Sequence, residues 1–442
     1  MEFTRTVKRP DGQVLVLTAL ALVVLVGMSA LTIDLGMAYS VKAKLTSAVD
    51  AAVLAAGKAV KNGADDASRR LNATNAANSF FAANFPTGIR GTSHRAFSVD
   101  SITNVEGTWT IKVSASAQAP TFFSAIFGRP IMVGASAEAT VKTLDMMLVL
   151  DCSGSLGSDF GDLQDAAVNF VGGFQDGSGG DRIGLVTFAS GAELSASINK
   201  DANRGFNRTS LVAALNATSM GGATNAEEAM RIAKAELDAI PSHLRSTLRV
   251  IVFFSDGAPN IVSGYFVQSG TTRLGGLYSV ADSRSKPYQL FTINRRTSTE
   301  VDYTNILTLP STDYTGTVNL ASFNGARSLP GSPVTNTWCN LNKAARNMVE
   351  NIANAARGGA GTAAITIYSI GLGDRLRSNE VTNCSYGSNE YGENILKRLA
   401  NTTDSDMRQS SQPTGIYVWA ADASQLNSAF QRVRSAILRL SK

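Results

Sequence analysis

The sequence predicts an α/β protein. An N-terminal transmembrane helix and a small α+β module precede a doubly wound, parallel-sheet domain that carries a long insertion. Three observations lead there. Gly12–Ile33 has no ionisable side chain and is long enough to cross a bilayer as a helix, which takes roughly 20 residues. MMLVL from Met146 and VIVFF from Val250 are continuously apolar, as strands buried on both faces of a parallel sheet are. Around and after them, strand-like and helix-like segments alternate.

The first 11 residues, with Arg5, Lys8 and Arg9, read as a cytoplasmic N-terminus, and 12–35 as the span. A cleaved signal peptide would have a shorter apolar core and a small-residue cleavage site, whereas this run ends in LTIDLGMAYS. A buried core helix is the other reading, against which stands the near-complete lack of polar residues. The basic residues before the span predict export of everything after about residue 36. The expected location is therefore a single-pass inner or cytoplasmic membrane protein with its bulk periplasmic or extracellular.

Residues 36–63 continue as an amphipathic stalk helix, since Val41, Leu45, Val49, Val53, Ala56 and Val60 recur every three or four positions. Its apolar stripe serves either partner helices or its own domain. Residues 64–143 form a small α+β module: a helix over ASRRLNATNAANSFFAANF, then the alternating runs TWTIKVSASAQA and IMVGASAEATVKT, joined by PTFFSAIFGR. This module carries no catalytic constellation.

The informative region is 144–442. The strand at Met146 ends in Asp151-Cys152-Ser153-Gly154-Ser155, and ligand sites of open α/β sheets lie at such strand ends. GGATNAEEAM places Thr224 in a Gly-rich loop that enters a helix, with Asn225 as its cap. RVIVFFSDGAPN ends a second strand at Asp256. Asp151, Ser153, Ser155, Thr224 and Asp256 offer two carboxylates and three hydroxyls, a hard all-oxygen set suited to Mg²⁺ or Mn²⁺. The two carboxylates balance a divalent charge, leaving the ion able to attract an external carboxylate.

This set resembles the metal-ion-dependent adhesion site (MIDAS) of von Willebrand factor A domains. The resemblance implies that these five residues bind the cation and that a protein partner's Glu or Asp completes its octahedron; a metal-free copy is the alternative. The remaining order agrees with that Rossmann-like fold: helices at GDLQDAAVNFVGGF, NLNKAARNMVENIANAA, ENILKRLAN and SQLNSAFQRVRSAILRL, and strands at DRIGLVTFAS, AELSASI, AAITIYSIGLG and GIYVWAA. The insertion, 261–337, leaves the strand end that bears Asp256 and so must emerge on the metal face, as a recognition lid or as a tolerated loop.

The N-terminal region, from the apolar helix through LTIDLGMAYSVKAKLTSAVDAAVLAAG to TFFSAIFGRPIMVGASAEATV, looks like bacterial TadG-like Flp pilus assembly proteins, many of which carry a von Willebrand A domain. The resemblance implies pilus assembly or envelope proteins as partners. Related small pilins are cut after a Gly, with Glu at the fifth mature position. Here Gln13 follows Gly12 and the fifth residue is Leu17, so an anchored assembly or adhesion factor is expected instead of a pilin subunit.

Other classes fare worse. Charges are scattered, 40 Lys+Arg against 35 Asp+Glu, without a dense basic stripe, which speaks against nucleic acid. With 2 His, at 94 and 243, His-rich metal sites and a Ser-His-Asp triad have little to draw on. No Walker A or Gly-x-Ser-x-Gly sequence occurs. A metal-dependent hydrolase at Asp151 and Asp256 stays as an alternative, but no His lies near either in sequence. A metal-free structural envelope protein is a further alternative. Of the 3 Cys, Cys152 is expected as a buried thiol, and Cys339 and Cys384 as a disulfide formed after export; two unpaired thiols are the other possibility.

Overall fold

A computed structural model describes residues 11–440 except 61–65, 106–107, 123–129, 178–179, 269, 280–287, 297–300, 304–305, 307, 324–326, 330, 332, 360–362 and 379–389. The chain divides into two compact units, one formed mainly by residues up to Thr140 and the other by Val141 onward.

In the first unit, α1 (Asp11–Ala59) is one uninterrupted helix, so the predicted span and the predicted stalk are continuous. Every residue from Val14 to Ser29 is exposed. A core helix would be buried, and an apolar surface of this size is not stable in water. The hydroxyls of Thr18, Ser29 and Thr32 donate to carbonyls four residues back, so each polar group finds a partner on the helix itself. Beyond Ala30 one stripe becomes buried, including Val41, Leu45, Val49, Val53 and Val60. The stalk therefore lies on its own unit, which decides between the two readings of that stripe.

α2 (Asp66–Asn84) follows, burying Ala73, Ala77 and Phe81. The sheet of this unit has the order β1 (Ser93–Val105), β2 (Thr108–Ala119), β3 (Ile131–Lys142). β2 alternates as predicted, with Trp109, Ile111, Val113, Ala115, Ala117 and Ala119 buried. β1 was not expected: it buries no residue, so its sequence lacks the apolar alternation that reveals a strand. Asp34, just past the span, is buried and accepts a hydrogen bond from the Phe122 backbone N–H at 2.8 Å. Most of the connector 120–129 lies outside the described residues.

The second unit opens with β4 (Leu144–Asp151), α3 (Phe160–Val171), β5 (Arg182–Phe188), β6 (Ala192–Ala196), α4 (Arg208–Asn216), α5 (Ala226–Asp238) and β7 (Leu248–Ser255). The insertion contributes β8 (Ile261–Gln268), β9 (Thr271–Ser279), β10 (Tyr288–Phe291), β11 (Val301–Tyr303), β12 (Thr308–Leu309), β13 (Ser322–Phe323), β14 (Arg327–Ser328) and β15 (Val334–Thr335). The chain then completes the domain with α6 (Trp338–Arg357), β16 (Thr366–Leu372), α7 (Gly392–Ala400), β17 (Tyr417–Ala420) and α8 (Leu426–Leu440).

The main sheet has the order β17-β16-β7-β4-β5-β6 and is parallel except for the edge strand β6. β4 is buried throughout because helices cover both faces. Leu144, Met146, Leu148 and Leu150 join one core with residues of α3, α4 and α8; Met147 and Val149 join the opposite core with residues of α5, α6 and α7. That is the doubly wound arrangement the apolar runs predict. α4 was missed: it is only 9 residues long and buries Leu211 and Leu215.

The insertion is ordered. β8 to β11 form an antiparallel sheet of order β11-β10-β9-β8, and β12 pairs with β15 and β13 with β14. It has its own core, in which Val262, Phe266, Leu277, Leu290 and Leu320 pack with Leu341, Ala345 and Met348 of α6. Arg327 is bonded to the buried Glu350 of α6, with Nη1 2.5 Å from Oε2. The insertion is thus a subdomain seated on the main body and not a loose loop.

Candidate metal centre

β4 and β7 are neighbours in the sheet, so their C-terminal ends bring Asp151 and Asp256 to one edge. Asp151 is 0% and Asp256 6% exposed. One Asp151 oxygen accepts from the Ser153 backbone N–H at 2.9 Å, and the other from the Ser255 hydroxyl at 2.6 Å. Ser155 donates to Asp256 at 2.9 Å, Ser153 does so more weakly at 3.5 Å, and the two serine hydroxyls lie 3.0 Å apart. Four of the five sequence-predicted residues are therefore in one hydrogen-bonded cluster.

Thr224 joins them across a loop–loop contact. Gly154 N–H donates to Gly222 O at 3.1 Å and Gly221 N–H to Cys152 O at 2.9 Å, tying the two loops together. Gly222 has φ +87°, and a Cβ there would lie 2.3 Å from the Ser190 hydroxyl oxygen, so the turn admits only glycine. Ser190 in turn accepts from Ala223 N–H at 3.1 Å. Asn260 clamps Thr224 from both sides: its side-chain oxygen accepts from Thr224 N–H at 2.8 Å, and its own N–H donates to Thr224 O at 3.1 Å. Asn225 caps α5 as predicted, its side chain accepting from Glu228 N–H at 3.4 Å.

Ser153, Ser155 and Thr224 all face one cavity of about 360 Å³. Tyr278, Gln289 and Phe291 of the insertion and Arg375 from the turn after β16 also line it. A larger open groove of about 730 Å³, lined by Arg204 and Arg208, is lined by none of the five predicted residues and is not the site.

Burial pushes the Asp151 carboxyl up to about 7, and the charge of Asp256 adds to the rise against the hydrogen bonds from Ser255 and Ser153. Asp256 is also raised by burial, while the Ser155 hydrogen bond and the Arg375 charge pull it back. Two buried carboxylates that destabilise each other's charge, with three hydroxyl oxygens on the same cavity, are a donor set that suits a hard divalent cation. Among the described residues no group of three or more His, Cys, Asp and Glu could hold a metal, so a soft site of the zinc type has no candidates.

Cys152 is a free, buried thiol that packs in the apolar core, turned away from its neighbour's carboxylate as strand alternation predicts. Burial holds it far above the usual thiol range. Cys339 is disulfide-bonded. Cys384 lies outside the described residues.

Sequence reasoning missed Ser255, Asn260, Arg375 and the insertion residues. Ser255 and Asn260 lie within a few positions of Asp256, and that proximity was the one signal available. The insertion was expected on this face from its exit point after Asp256, but nothing in the sequence singled out Tyr278, Gln289 or Phe291, and Arg375 had no signal, because only tertiary contacts bring these side chains to the cavity.

Comparison with known proteins agrees with this architecture. Residues 146–258 match the family model of the von Willebrand factor type A domain. Residues 12–65 match that of the putative Flp pilus-assembly TadE/G-like proteins. The chain thus joins a TadE/G-like N-terminal segment to a von Willebrand A domain. No curated protein matches it.

Among solved structures, a von Willebrand factor type A protein from Catenulispora acidiphila is similar at 11% identity and a TM-score of 0.35, over 78% of this chain and 50% of that one. The vWF domain of the type V pili tip protein Mfa5 from Porphyromonas gingivalis is similar at 17% identity and a TM-score of 0.38, over 69% of this chain and 98% of that one. The pilus adhesin SpaC from Lactobacillus rhamnosus GG is similar at 16% identity and a TM-score of 0.38, over 78% of this chain and 34% of that one. The chain therefore spans about half the length of the first and a third of the last. At these scores the likenesses carry no functional weight.

Proposed function

We propose that this chain is a membrane-anchored, divalent-metal-dependent protein-binding factor of pilus assembly or surface adhesion. The observation that carries the reading is the cluster at the ends of β4 and β7, where Asp151, Ser153, Ser155 and Asp256 are hydrogen-bonded together below a cavity that Thr224 also lines. These five residues would hold Mg²⁺ or Mn²⁺, and the ion would supply an open coordination position for a partner's acidic side chain. Asn260 fixes the Thr224 backbone, and Ser255 orients the Asp151 carboxylate. The pilus context rests on the family match of residues 12–65, and the anchor on the exposed apolar first half of α1.

A binding role is favoured over hydrolysis because, among the described residues, the cavity's lining includes neither a His nor a carboxylate; Tyr278 and Arg375 are its titratable side chains. The test is a pull-down from detergent-solubilised membranes with the full chain, in Mg²⁺ or in EDTA. A partner should be retained in Mg²⁺, released by EDTA and absent with Asp151→Ala. Retention that ignores both EDTA and the substitution would overturn metal dependence.

A further inference from the structure

The metal face is not an open platform. Tyr278 on β9 and Gln289 and Phe291 on β10 stand beside Ser155 and Thr224 and close the surface into the 360 Å³ cavity. Those strands are pinned. Ala192 N–H donates to Ile293 O at 2.9 Å, and Arg296 donates to the Thr187 and Ser219 hydroxyls at 3.1 and 3.2 Å. Gly191 sits so close to this segment that a Cβ would lie 2.4 Å from the Thr292 and Arg295 carbonyl oxygens. The wall is thus preformed, and a ligand need not spend binding energy on ordering it. A cavity this size admits a protruding loop and not a flat protein surface.

At its rim, Arg375 is exposed, and among the described residues its guanidinium makes no hydrogen bond or salt bridge. Its neighbour Arg377, by contrast, pairs with Glu393 at 2.8 Å and stacks on Trp419. Charge arithmetic points the same way. Two carboxylates and a divalent ion sum to zero, so Arg375 leaves the cavity one positive charge, which one carboxylate balances. A guanidinium fork suits the second oxygen of a carboxylate whose first oxygen is on the cation.

We propose that Arg375 and the insertion wall form a socket for a single acidic side chain on a protruding loop of a partner protein, with the carboxylate shared between the cation and Arg375. This rests on the metal-dependent reading above and adds to it the recognition residue and the shape of the partner.

The test uses the full chain in detergent and, as probe, a fluorinated, end-capped peptide Gly-Ser-Glu-Ser-Gly, with its Gln counterpart as control. Ligand-observed fluorine NMR reads peptide binding and calorimetry reads Mg²⁺ binding. The expected result is Mg²⁺-dependent binding of the Glu peptide alone. Arg375→Gln should weaken it about tenfold, the loss of one charge-assisted contact, without weakening Mg²⁺ binding. Arg375→Lys should fall between, since it keeps the charge and loses the fork. If the parent binds Mg²⁺ but not the peptide, or if Arg375→Gln binds peptide like the parent, the socket is overturned while the metal site stands. If the parent binds no Mg²⁺, the underlying reading falls and the socket with it.

Discussion

The Ser155 hydroxyl donates to the Asp256 carboxylate across 2.9 Å, joining two strand ends that are 101 positions apart in the chain. The contact holds a hydroxyl against a carboxylate that burial has already made costly to ionise. It is the geometry from which the metal prediction follows.

Asp151→Ala and Thr224→Ala should each weaken Mg²⁺ binding by tenfold or more, because each deletes a charge or an oxygen from the ligand set. Isothermal calorimetry on the full chain measures this. Circular dichroism on the same samples checks that the fold is intact. Affinities equal to the parent's in both variants would remove the metal site from consideration.

The exposed apolar half of α1, with Arg5, Lys8 and Arg9 before it, predicts an exported C-terminus. A reporter that is active only in the cytoplasm should stay silent when fused after Lys442. Strong activity would reverse the topology and undermine the pilus-assembly reading.

Cys339 is disulfide-bonded and Cys152 is a buried free thiol, and the sequence holds 3 Cys. We predict the pairing Cys339–Cys384, which would stabilise the domain by roughly 2–4 kcal/mol. Intact mass after alkylation of the native, then the denatured, protein should show a single reactive thiol, and only after denaturation. Three alkylatable thiols would end the pairing and weaken the export argument.

Glu227 gives a pH signature independent of the metal. It is fully buried on α5, accepts from Ser263 N–H at 2.9 Å, and leaves its other oxygen without a hydrogen bond among the described residues. Burial raises its carboxyl to about 8, with Glu228 adding to the rise. The folded protein therefore holds a proton that the unfolded chain releases above about pH 4.5. This contribution to stability is complete below that pH and is lost as pH rises towards 8. Glu227→Gln keeps the shape and removes the proton. Its stability relative to the parent should rise by on the order of a few kcal/mol between pH 5 and pH 8. Urea denaturation in EDTA at both pH values measures the difference; a difference that stays constant with pH would show that Glu227 does not titrate between the two states.

Much of the fold and site was legible in local chemistry. The uncharged run specified a membrane-length helix, and the apolar runs at Met146 and Val250 specified strands covered on both faces, because burial on two sides leaves no room for polar alternation. Asp151, Ser153, Ser155, Thr224 and Asp256 could be picked out because strand ends and helix entries are where an α/β sheet presents side chains to a ligand. Tertiary structure alone decided the rest. β1 has little apolar patterning and exists by pairing with β2. The stalk stripe is buried in its own unit, a choice that helical periodicity leaves open. Ser255 and Asn260 acquire their roles by touching Asp151 and Thr224, and Arg375 and the β9–β10 wall reach the cavity from segments more than 100 positions beyond Ser155. Periodicity and motif spacing record what a segment does with its immediate neighbours. The partners that close the cavity are chosen by packing between distant segments, and no local pattern encodes that.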